Sequence, residues 1–172
     1  MKRASPDRHA ALPWRDWFAA ARQPRTDEAL RAFYAALDDE IAAGDAVCNQ
    51  SGTCCRFNDS FRHYVTGLEI AWFVQRMGEP AAASTTGLPV LSAGEPCPYQ
   101  IDGLCSAHPV RPMGCRIYFC QPGTQQWQQS LYERHLAELR ALHQREGIEY
   151  AYLEWLAGLD AARQHARSGL VT

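Results

Sequence analysis

The chain has 172 residues, with 17 Lys and Arg against 19 Asp and Glu and a formal charge of −2. Apolar residues make up 47% of it, including five Trp, six Phe and seven Tyr, so it can bury a core without needing disulfides or a metal merely to fold. No long charged run is present and no apolar run approaches the roughly 20 residues of a membrane span, which argues against a nucleic-acid binder and a membrane protein.

Residues 1–24 read as an N-terminal extension, basic only at Lys2, Arg3 and Arg8 and broken by Pro6, Pro13 and Pro24. Ser5, Pro6, Asp7, Arg8 and His9 stand where a secretory leader would need continuous apolar residues, so the expected location is the cytoplasm. The apolar island Trp14 to Ala20 can form a short docking helix. Residues 25–172 read as one domain. Its first helix spans 27–43, where Leu30, Phe33, Tyr34, Leu37 and Ile41 share one face, Asp27 caps the start and Gly44 ends it.

The segment CNQSGTCC (Cys48 to Cys55) follows, and then a helix from Thr66 to Gly78. Thr66 and Glu69 have the spacing of a capping box, in which each satisfies a free N–H at the helix start. Residues 80–96 are a small-residue linker expected to be exposed. Two more helices are predicted, over 125–146 and 148–166, the second carrying Tyr152, Trp155, Leu156 and Leu159 on one side. Between linker and helices lies CPYQIDGLCSAHPVRPMGCRIYFC (Cys97 to Cys120), with a short strand near Arg116 to Phe119 the one sheet signal. The predicted fold is mainly α, a small helical domain around an irregular cysteine-rich centre with little or no sheet.

Seven cysteines occur, as Cys48-x5-Cys54-Cys55, a gap of 41 residues, then Cys97-x7-Cys105-x9-Cys115-x4-Cys120. In a reducing compartment clustered cysteines are metal ligands or reactive thiols more often than disulfides, and an odd count cannot pair off within one chain. Soft thiolates select zinc, copper(I), iron or iron–sulfur clusters and reject magnesium and calcium. A zinc knuckle uses paired C-x2-4-C elements, and only Cys115 and Cys120 have that spacing, so the pattern favours an iron–sulfur cluster over a simple zinc finger. Metal segments are therefore expected at 48–55 and 97–120. Arg111 and Arg116 are placed to offset thiolate charge and to donate to sulfur from behind the ligands. Their bland role is pairing with a carboxylate such as Asp102. Pro98, Pro109 and Pro112 stiffen the loop, and Gly52 lets backbone curl around an ion. His108 is a histidine close to the ligands, in a loop where exposure is the commoner state.

These residues resemble the YkgJ-type cysteine-cluster family, whose pattern runs C-x2-C-G-x-C-C, then C-P-[FY], a cysteine near a turn, and R-P-x2-C-R-x-[YF]-x-C. Cys48, Gly52, Cys54, Cys55, Cys97, Pro98, Tyr99, Cys105, Arg111, Pro112, Cys115, Arg116, Tyr118 and Cys120 match it. The resemblance implies zinc or iron chelation, in some descriptions an iron–sulfur cluster, and no settled activity. There is one departure: Ser51 stands where the family has its second cysteine, and a hydroxyl is a poor ligand for soft metals.

The expected cofactor is thus iron or an iron–sulfur cluster, with zinc as the alternative, held by cysteines drawn from Cys48, Cys54, Cys55, Cys97, Cys105, Cys115 and Cys120. Whether the chain is an enzyme stays open. The cysteine-rich part of flagellin lysine N-methylases is similar, but those chains are much longer, and no G-x-G-x-x-G nucleotide fingerprint occurs here. A zinc-stapled interaction module is a further reading, with Trp14, Trp17 and the 80–96 linker meeting a protein partner. A catalytic thiol is the weakest, since no Cys–His–Asn constellation stands out.

Overall fold

The computed structural model describes residues 11–44, 46–48, 51–57, 62–78 and 96–169. Among these are helices α1 (Trp14–Arg22), α2 (Pro24–Ala42), α3 (Gly67–Met77), α4 (Met113–Ile117), α5 (Gln125–Glu146) and α6 (Trp155–Arg167). Four short strands accompany them: β1 (Tyr64–Thr66), β2 (Gln100–Ile101), β3 (Leu104–Cys105) and β4 (Tyr152–Glu154). The fold is mainly α, as predicted. The basic residues of the first ten and positions 80–95 of the linker lie outside the described residues. Among those described, no helix is long and apolar enough to cross a membrane.

Residues 14–22 are not peripheral, which corrects the expectation of an N-terminal extension over that stretch. Trp14, Trp17, Phe18 and Ala21 recur at helical spacing, and all four are buried. The Trp14 and Trp17 rings meet edge to face, with centroids 5.0 Å apart. The Trp17 indole donates to Glu149 O at 2.8 Å. Neither tryptophan is therefore offered to a partner. Helix α1 packs on α3 at Gly67, where an added Cβ would sit 2.3 Å from the Trp17 ring, so only glycine permits that approach.

Helix α2 starts three residues earlier than expected, with Pro24 in the first turn, where its missing N–H costs nothing. Asp27 is consequently inside the helix. Its carboxylate accepts from the Trp72 indole at 2.8 Å and pairs with Arg76 and Arg31, tying α2 to α3. The Thr66–Glu69 capping box is present in both directions at the start of α3. Helix α5 has the predicted bounds and ends on Gly147 in the left-handed conformation.

Two expectations fail on long-range pairing. The last helix begins at Trp155, because Tyr152–Glu154 instead pairs antiparallel with Tyr64–Thr66. Glu154 then caps α6 by accepting from Leu156 N and Ala157 N. Arg116 and Ile117 lie in α4 rather than in a strand. Just beyond them, Phe119 N and O are both bonded by the Gln128 side chain, at 3.1 and 2.9 Å, so a side chain takes the place of a neighbouring strand.

Candidate metal centre

The two cysteine segments are fastened to each other by backbone. Cys97 N donates to Cys55 O at 2.7 Å, and Arg56 bridges to Pro96 in antiparallel fashion. Gly52 lies at φ +69°, and a Cβ there would stand 2.4 Å from Gly103 O, so glycine serves both the left-handed turn and the close approach. The Gln100 side chain donates to Gly52 O at 2.8 Å. Within the second segment β2 and β3 form a hairpin turned by Asp102 and Gly103, both at positive φ. The hairpin folds Cys105 back toward Cys97.

Cys115 is positioned from the core. The buried Glu69 carboxylate accepts from Thr66 N, from Tyr34 Oη at 3.0 Å and from Met113 N at 2.8 Å. One carboxylate thus joins the starts of α3 and α4 to α2. Burial raises its pKa, which the donors oppose. Arg116, also buried, pairs with Asp38 at 2.5 Å, donates to Pro109 O and Arg111 O, and lies over the Tyr34 ring. It is a clamp on the 109–111 backbone and does not face the thiols. Its carboxylate partner is Asp38 rather than Asp102.

Five of the seven cysteines line one cavity of about 30 Å³: Cys54 and Cys55 from the first segment, Cys97, Cys105 and Cys115 from the second. Phe57, Phe73, Tyr99, Trp155 and Pro112 supply an apolar wall, and Arg111 lines it as a cation. The other two predicted ligands lie elsewhere. Cys48 is exposed, and Cys120 Sγ is 3.4 Å from the Ser51 hydroxyl. A hydrogen bond of 2.8 Å from Val47 N to the Gln121 side chain holds those two stretches together. His108 is exposed and does not line the cavity. All seven cysteines are free thiols. Among the described residues, no group of three or more His, Cys, Asp or Glu side chains is arranged to hold a metal ion, so the thiols share a wall without converging on a point.

The thiols are electrostatically unequal. Cys55 and Cys54 form a thiol–thiol hydrogen bond, with 3.9 Å between the sulfurs, and Cys105 interacts with Cys55 in the same sense. Those bonds hold the proton on Cys55 and raise its pKa, while they lower Cys105 to about 6 and Cys54 to about 7, with help from Arg111. Burial raises Cys97 and, more strongly, Cys115. His63, beside the Cys54 carbonyl, is lowered to about 4 by burial and is a neutral imidazole at neutral pH.

Trp155 carried no functional expectation. Its place in the sequence, far beyond Cys120 and on a helix face, reads only as core. It is 1% exposed and lines the cavity. Its indole N–H favours the Cys97 thiolate, yet no acceptor stands in hydrogen-bond geometry to it. No family model matches the chain, and no curated protein or solved structure matches it either.

Proposed function

We propose that this protein binds a soft metal through the cavity thiolates: iron, as a single ion or in an iron–sulfur cluster. The observation that carries the reading is that five cysteines from two distant segments line one small cavity, although their thiols are not yet gathered around a single point. Here the donor set is all sulfur, which suits iron, zinc or copper(I) and no hard cation. Arg111 offsets the charge that several thiolates would add, and it already favours the thiolate forms of Cys54 and Cys105. The likeness to YkgJ-type proteins supports the same reading, and free thiols accord with a reducing cytoplasm.

A structural or regulatory zinc ion is the second reading, and one observation favours it. The cavity has about the volume of a single water, which suits one ion, whereas a cluster brings several atoms of its own. Anaerobic purification with metal analysis and a visible spectrum separates the two. Iron with acid-labile sulfide and a brown colour supports the cluster; a colourless protein with one zinc per chain supports the second reading. A protein that neither carries nor takes up any soft metal contradicts both.

A further inference from the structure

Among the described residues, several buried polar atoms lack a hydrogen-bond partner, and one of them, the Trp155 indole N–H, belongs to a residue that lines the thiol cavity. Trp155 is held firmly. Its backbone N–H donates to His63 O at 2.8 Å, and its ring meets Phe73 edge on, centroids 4.9 Å apart and planes at 89°. Phe73 is fixed in turn by Tyr99 at 4.8 Å. The indole N–H is fully enclosed and, among the described residues, has no partner in hydrogen-bond geometry, a state that costs free energy. Cys97 is its nearby acceptor, and a thiol is a weak one. A metal-bound thiolate is a charged acceptor and makes a bond about twice as strong. The two donor groups at the cavity are then complementary: Arg111 supplies charge, and Trp155 supplies a directed, uncharged N–H.

We propose that Trp155 is a positioning residue of the metal centre, its indole N–H donating to the Cys97 sulfur once that sulfur is a metal-bound thiolate. The inference rests on the thiolate reading above. It extends the centre to a residue well outside both cysteine segments, and it explains why an indole rather than a phenyl ring stands at the start of α6.

The test uses the full chain loaded with Zn²⁺ or Cd²⁺, soft and diamagnetic ions, beside the variant Trp155→Phe, which keeps a ring against Phe73 and removes the N–H. Loss of one hydrogen bond to a charged acceptor should weaken binding of either ion roughly 10- to 100-fold. In the wild type, the indole N–H resonance that the variant lacks should shift on loading and gain protection from exchange. Equal affinity in the two proteins together with an unmoved resonance overturns the inference and leaves the metal reading standing. Uptake of neither probe by the wild type removes both. Should the variant fail to fold, the wild-type resonance decides: movement supports the bond, and no movement on loading refutes it.

Discussion

The seven cysteines divide into an inner five and an outer two, and the surroundings of the two groups differ in kind. Around the inner five, backbone bonds join the segments, Glu69 anchors the helix that bears Cys115, and aromatic rings line the cavity wall. Cys48 is exposed and Cys120 half-buried, and around them, among the described residues, stand a serine hydroxyl and one hydrogen bond from Val47 N to a glutamine. A thiolate site gains affinity when its ligands are held before the metal arrives, and only the inner group is held in this way. On the proposed metal reading, a cysteine count therefore overstates the centre, and the supporting contacts point to the inner five as its ligands.

The largest expected effects come from removing inner thiols. Cys105→Ser and Cys115→Ser should each abolish most of the bound metal, because a hydroxyl is a poor ligand for a soft ion. Cys48→Ser should leave occupancy close to that of the wild type. Metal analysis of the three purified variants checks this ordering, and full occupancy in both inner variants would dissolve the distinction. Next in size is the support beneath the inner group. Glu69→Ala would leave Met113 N, Tyr34 Oη and Thr66 N without their acceptor, with an expected loss of roughly 2–5 kcal/mol in denaturant unfolding. A change below about 0.5 kcal/mol, the ordinary range for surface substitutions, would show that this carboxylate anchors nothing.

A smaller, graded effect separates thiols within the inner group. In metal-free protein, alkylation of Cys105 and Cys54 should rise through midpoints near pH 6 and pH 7, since their lowered pKa values make the thiolate present above those points and lost below them. Cys97 and Cys115, raised by burial, should stay protonated and unreactive well past neutrality. Mass spectrometry of labelled peptides across pH reads all four at once, and parallel curves would mean that the Cys55 hydrogen bonds do not operate in solution.

What could be read from the sequence was local. The capping box at Thr66 and Glu69, the bounds of α5 and the gathering of cysteines in 97–120 all depend on residues a few positions apart. Two further local signals are legible in the same way. Asp102-Gly103 between Gln100-Ile101 and Leu104-Cys105 is a two-residue hairpin turn, and Trp14, Trp17, Phe18 and Ala21 have full helical periodicity. The rest depends on distant partners. Tyr152–Glu154 is extended because Tyr64–Thr66 lies beside it. Arg116 is a backbone clamp because Asp38 and Tyr34 are there to meet it. Trp155 joins the cavity because α6 packs on α3, and no spacing within the cysteine stretch points to it.

The most direct measurement is X-ray absorption on the metal-loaded double variant Cys48→Ser, Cys120→Ser. With the outer thiols gone, the protein should keep its full complement of metal, surrounded by sulfur alone, at about 2.3 Å if the ion is zinc. Loss of the metal, or oxygen and nitrogen among its nearest neighbours, would contradict the assignment of the centre to the inner five cysteines.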